Sequence, residues 1–212
     1  MKSDLSLRQS TVESTVQPPT DWTVDCMGNI RFTLISNGFT CEQWEQHLER
    51  RGWKIDGIVR QILRMASAEP TNGVTYNIVV RRNASKSDRI TKKIYASGEY
   101  YGWVKPHWEV ACLIRDTFTD EQLEKMRLWY IVTMHEPIES FDDQLCLLVS
   151  NRRNDGRWIN ACSGRPDDYW GDGDGGGFTF EVPHQPVAEV LKPNTHRTSI
   201  LRNLAIWLKT RF

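Results

Sequence analysis

Two residues at the end of one apolar run are the first place where this chain could do chemistry. His135 and Glu136 close the stretch Leu-Trp-Tyr-Ile-Val-Thr-Met-His-Glu-Pro, which spans Leu128 to Pro137. A strand end beside a proline turn is where side chains reach a cleft, and an imidazole next to a carboxylate can exchange protons with a substrate. The zincin arrangement needs His-Glu-x-x-His on a helix, and the second histidine is absent here. Neighbours on a strand also point to opposite faces, so His135 and Glu136 cannot act together without a bulge. The plainer account is a hydrogen-bonded pair that holds the strand end.

A second candidate is the loop Pro166 to Gly177, where Asp167, Asp168, Asp172 and Asp174 stand among glycines. Carboxylate oxygens of this kind suit a hard cation, calcium or magnesium, with Asp168, Asp172 and Asp174 as its ligands. The register departs from an EF-hand, which closes on a glutamate at its last loop position. A flexible acidic surface loop explains the same glycines and needs no cofactor. The glycines form no phosphate loop either, since no lysine follows and the next element reads as a strand. A third candidate is the aromatic group Trp158, Tyr169 and Trp170 with Asn160 nearby. Such residues suit a sugar, a peptide or a cationic side chain, against the plainer reading of tryptophans that fill the core. Cys41 opens a helix, where an exposed thiol acidifies, yet no histidine partner is identifiable. Ser163-Gly164 lacks the G-x-S-x-G context of a hydrolase elbow.

The elements that must position these residues follow from patterning. Leu128 to Met134 puts Leu128, Tyr130, Val132 and Met134 on one alternating set and Trp129, Ile131 and Thr133 on the other. Bulk on both sets predicts a central strand covered on both faces. Before it, Ile30 to Ile35 alternates as a strand turned by Asn37-Gly38. Thr40 and Gln43 form a capping box that opens a helix ending at Gly52, and Asp56 caps a second helix. Two short helices joined at Gly52-Trp53 suggest a helix-turn-helix, but their basic residues do not line one exposed face, so a helical hairpin on the sheet is preferred. Val74 to Arg82 is a strand, Ser85 to Ala96 a basic helix, and Gly98 to Pro106 a loop carrying Tyr100, Tyr101 and Trp103. A helix follows Pro106, and Thr119 with Gln122 repeats the capping box. After the central strand, Gln144 to Asn151 and Arg157 to Cys162 pair across the turn Asn154-Asp155-Gly156, and Phe178 to Val182 adds another strand. The fold expected is α+β: helices packed on one side of a mixed or antiparallel sheet of about five or six strands, ending in a β-meander, plus a C-terminal helix over Ser199–Arg211.

Composition narrows the function classes. With 27 basic and 27 acidic residues the net charge is zero, which argues against nucleic acid or an anionic membrane as partner, a local basic patch aside. No run reaches the ~18 apolar residues that span a bilayer. The start has no apolar h-region of a secretory signal. Five widely spaced cysteines without a C-x-x-C pair read as reduced thiols in a cytoplasmic protein. The expected organisation is a disordered tail over 1–20, one domain over 21–183, and an extended segment with an amphipathic helix over 184–212.

Four segments together carry a resemblance: Gly38-Phe39-Thr40 followed by Glu42-Gln43-Trp44, then Trp129 through Ile138, then Gly156-Arg157-Trp158, then Gly177-Phe178-Thr179-Phe180. They resemble a group of uncharacterised bacterial proteins encoded in small, metagenome-derived genomes, over roughly residues 30 to 183. The resemblance implies a bacterial origin and an intact domain, and no activity.

The leading expectation is a soluble, non-enzymatic binding or interaction module, immunity-like or regulatory, whose partner is another protein or a small ligand. It rests on an excess of tryptophan, nine in the chain, and on the lack of a complete catalytic constellation. The opposing expectation is a hydrolase or metal-assisted enzyme that uses His135, Glu136 and the Asp167 to Asp174 loop. A third is a carbohydrate- or peptide-binding protein that uses Trp158, Tyr169 and Trp170. Deleting residues 1–20 should leave the melting temperature nearly unchanged, because the segment offers little apolar area. A fall of more than a few degrees in a thermal melt would show that it is docked.

Overall fold

The computed structural model describes residues 21–65, 70–82, 85–171 and 175–184. The expected tail over 1–20 and the helix over Ser199–Arg211 lie outside these residues. In chain order the elements are β1 (Thr23–Val24), β2 (Ile30–Asn37), α1 (Cys41–Arg50), β3 (Lys54–Ile55), α2 (Gly57–Met65), β4 (Asn72–Arg81), α3 (Thr91–Tyr100), α4 (Glu109–Thr117), α5 (Asp120–Lys125), β5 (Tyr130–Thr133), β6 (Ile138–Glu139), β7 (Leu145–Arg153), β8 (Gly156–Ser163) and β9 (Gly176–Glu181). The class is α+β, and the strands form one nine-stranded mixed sheet in the order β1-β2-β4-β9-β5-β7-β8-β3, with β6 paired to β7 off that path.

Local chemistry explains most of the starts and stops. Thr40 and Gln43 exchange bonds reciprocally at the head of α1, and Thr119 and Gln122 do the same for α5. Asp56 accepts the Ile58 amide at 2.8 Å and so opens α2. The helix read over Ser85 to Ala96 runs later. A single 3-10 turn, Lys86–Asp88, comes first, and α3 then extends to Tyr100, so Gly98 and Tyr100 belong to the helix rather than to a loop.

Alternate strand residues divide into two buried groups, one on each face of the sheet. Ile78, Val80, Ile131, Leu148 and Ile159 face α1, α2, α4 and α5. Val79, Val132, Leu147, Val149, Phe178 and Phe180 join Ile94 of α3 on the other face. Helices therefore cover both faces, not one, because both alternating sets of the central strands are apolar. The organising strand, β5, does sit centrally, antiparallel to β7 and parallel to β9. Its expected alternation holds from Tyr130 onward. Leu128 lies before the strand begins and packs with Ile131 instead, and Trp129 is about half exposed, at 48%.

The expected meander does not extend to β9. β5, β7 and β8 are antiparallel neighbours, but β9 returns across the sheet and enters between β4 and β5. Two glycines decide this. A Cβ at Gly176 would stand 2.3 Å from the Tyr130 ring, and one at Gly177 would stand 2.4 Å from Val80 Cγ1. Only a strand without side chains there can slide between such neighbours. Glycines that suggest a mobile loop in the sequence are thus a packing requirement.

Gly177→Ala should cost about 1–3 kcal/mol, since overpacking a closed core outweighs the entropy gained by replacing glycine. Gly57→Ala meets nothing within 4 Å and should be neutral or mildly stabilising. Urea denaturation of both variants checks the pair, and equal stabilities would refute the close seat of β9.

Candidate functional site

His135 stands just past β5 and is 2% exposed. Its Nδ1 lies 2.7 Å from the Glu136 carbonyl, and its Nε2 accepts the Leu148 amide of β7 at 3.0 Å. An acceptor at Nε2 and a carbonyl at Nδ1 fix the proton on Nδ1. Burial pushes the imidazole down to about 4, with a smaller push from the field of His107. Both ring nitrogens are spent on main chain, and the ring is neutral at physiological pH. Glu136 points the other way, mostly exposed, and pairs with Lys105. The two do not form an acid–base couple. Next to them a cleft of about 390 Å³ is lined by Tyr95, Glu99, Trp103, Val104, Lys105 and Phe180, and the Tyr95 hydroxyl donates to the His135 carbonyl at 2.7 Å.

The acidic loop caps the start of a helix. The N-cap position of α3, Ile90, supplies no side-chain bond. Instead, main-chain carbonyls of the loop take the first amides: Thr91 donates to Asp168 O at 3.0 Å and Lys92 to Pro166 O at 2.9 Å. Trp170 Nε1 donates to Thr91 Oγ1 at 2.9 Å, and its ring packs edge-on against Phe178. The Asp168 carboxylate accepts from Ser163 and from the Arg165 amide, and Asp167 meets Lys92 at 2.6 Å. Over residues 166–170 these contacts hold the segment that the sequence reads as a flexible loop. Asp172 and Asp174 lie outside the described residues, and among those described no three His, Cys, Asp or Glu gather as a cation site. Tyr169 is half exposed beside this cap, while Trp158 stands on β8, so the three proposed ligand aromatics do not form one site.

A further aromatic surface, with Trp129 48% exposed, lies around the turn between β7 and β8. Trp129, Arg152, Arg153, Asn154 and Asp155 line a cleft of about 430 Å³. The Arg152 guanidinium carbon sits 4.1 Å from the Trp129 ring centre, and its Nη1 meets Glu124 of α5 at 2.9 Å. Across the turn Trp158 donates to Asp155 at 3.0 Å and has Arg153 and Lys54 over its ring at 5.0 and 5.2 Å. Deeper in, the fully buried Arg115 stacks at 4.3 Å on Trp53, which also carries Arg157 at 5.0 Å. Asp120 of α5 holds Arg115 at 2.9 Å and lies 3.6 Å from Arg157. Burial draws Arg115 down to about 10, still charged at neutral pH. Three guanidiniums and two indoles thus form a row along α5, which answers it with two carboxylates one turn apart.

No family model, curated protein or solved structure matches the chain. The site therefore rests on its own geometry.

Sequence reasoning missed this row. The doublet Arg152-Arg153 beside a hairpin turn was the available signal. A buried polar knot was missed as well: Tyr76 at 2.6 Å, Thr71, and His107 at 3.5 Å converge on Oε1 of Glu109 at the head of α4. Burial would raise the Glu109 carboxyl, but bonds from His107, Thr71 and Tyr76 outweigh it and hold the group below its usual value. A carboxylate held that way anchors α4 to β4 and makes a poor base. Cys41 does not gain reactivity from its helix start, because burial first and then Glu109 push its thiol up.

The His135 burial has a pH signature. An imidazole depressed from 6.5 to about 4 contributes stability that is complete above pH 6.5 and is lost as pH falls through about 4. The loss should amount to roughly 3 kcal/mol over that window. His135→Asn should lower stability at neutral pH and flatten its slope between those values. Denaturation series in buffers across the window read the slope, and an unchanged slope would mean that His135 is not the buried titrating group.

Proposed function

We propose that this chain is a non-enzymatic binding module that engages another protein through the surface around Trp129 and Arg152. The observation that carries this reading is an indole left about half exposed at the head of the central strand, with a guanidinium already stacked on it beside an open cleft. Tryptophan and arginine are the side chains most often found at the energetic centre of protein interfaces. The hydrolase reading loses support because His135 has no ring nitrogen free for a substrate. The sugar-binding reading loses it because the Trp170 indole is engaged by the Thr91 hydroxyl of α3 and packed against Phe178. No helix among the described residues is long and apolar enough to cross a membrane. None of the five cysteines is joined in a disulfide, which fits a reducing, cytoplasmic setting and an immunity-like or regulatory role there.

The test is a random peptide library panned on the full chain. Recovered peptides should bind Trp129→Ala at least roughly tenfold more weakly than the parent protein. They should bind Tyr169→Ala as well as the parent. Trp129→Ala itself should fold, losing no more than about 1 kcal/mol, because the indole is partly exposed. Peptides indifferent to Trp129 would place the binding surface elsewhere.

A further inference from the structure

We propose that the partner of this surface is an acidic peptide segment, with its carboxylates on Arg152 and Arg153 and an apolar side chain laid on Trp129. The inference rests on the reading of the Trp129 cleft as the binding surface and adds the chemistry of what binds.

Charge is the first ground. The chain as a whole is neutral, but around the turn Lys54, Arg115, Arg152, Arg153 and Arg157 share three carboxylates, Asp120, Glu124 and Asp155. Arg127, two residues before Trp129, is also exposed. A local cation excess on a neutral protein selects for a local anion.

Incomplete pairing is the second ground. The Arg152 side chain keeps 13% of its surface exposed, at the cleft. A guanidinium fork matches a carboxylate through two parallel bonds, and Arg152 has one such contact, through Nη1 to Glu124. Glu124 is itself 68% exposed and stands on a helix of six residues, so its carboxylate is a replaceable occupant. Arg153 reaches Asp155 at 3.4 Å with both side chains half exposed, a contact of little strength.

Preorganisation is the third. The Trp129 ring holds the Arg152 guanidinium in place, so little side-chain freedom remains to be lost when an anion arrives. A peptide fits this surface better than a nucleic acid strand. Asp120, Glu124 and Asp155 stand among the arginines, and they would repel a continuous run of phosphates while leaving gaps for separate carboxylates.

Fluorescence anisotropy of a short labelled glutamate-rich peptide with one central leucine tests the idea on the full chain. A lysine-rich counterpart and an oligothymidylate of matching length are the comparisons. The glutamate peptide should bind saturably and lose affinity with added sodium chloride, and the lysine peptide should not bind. Arg153→Gln should weaken binding roughly tenfold, the worth of one charge-assisted contact. Glu124→Gln should strengthen it, because the competing carboxylate is gone. Thermal melts confirm that both exposed variants fold. Equal binding of the glutamate and lysine peptides, no response to Glu124→Gln, or stronger binding of oligothymidylate would each overturn the acidic-peptide assignment. If the glutamate peptide fails while panned peptides still depend on Trp129, the surface stands and only its chemistry falls. If nothing bound depends on Trp129, both fall together.

Discussion

The seat of β9 between β4 and β5 is the constraint on which the rest of this molecule depends. On one side of it lie β1, β2 and β4, and on the other β5, β7, β8 and β3. Each group is held mostly by antiparallel pairing, and among the described strands β9 alone joins them. The seat is narrow. Tyr130 presses on one face of the incoming strand and Val80 on the other, at the two positions where it carries no Cβ. Once seated, β9 adds Phe178 and Phe180 to the core under α3, and its pairing with β5 fixes where Trp129 emerges.

A second set of forces holds the end of the sheet that Trp129 marks. α5 has six residues, too few for a helix to persist alone in water. Its capping box satisfies two amides, and Leu123 is buried in the core. Asp120 and Glu124 then fasten it to Arg115, Arg157 and Arg152. A buried guanidinium such as Arg115 loses several kcal/mol of hydration. The Trp53 face and the Asp120 carboxylate offset that loss together, which explains how Nε and Nη1 can go without hydrogen bonds. The arrangement that secures α5 is therefore also the one that fixes Arg152 and Arg157 beneath the cleft and the turn.

What could be read in the sequence was local. The capping boxes at Thr40 and Thr119, the turn at Asn154-Asp155-Gly156 and the alternation of Tyr130 to Met134 all depend on residues within a few positions of each other. What could not be read depends on distant partners. His135 is locked by an amide of β7, and no neighbour in the sequence announces that bond. The glycine run before Phe178 looks like slack until Tyr130 and Val80 are set against it. Carbonyls of Pro166 and Asp168 cap α3, and a carbonyl leaves no mark on side-chain pattern. Trp129 reads as a core residue by alternation, and is half exposed because it stands before β5 begins, with Arg152 over its ring.

The order of the chain gives the sheet a vulnerable moment during synthesis. Polypeptides leave the ribosome N-terminus first, and each segment can pair as it emerges. β4 and β5 are both translated before β9, and each must wait for it with a row of unpaired amides and carbonyls. Elsewhere the sheet closes its outer margins with strands of two residues, β1 and β3, which offer little to a neighbouring chain. The inner margins have no such protection until residues 176–181 are made. A nascent chain halted before that point carries two sticky edges within one molecule, and pairing them with each other or with a neighbouring nascent chain is the misassembly this topology invites.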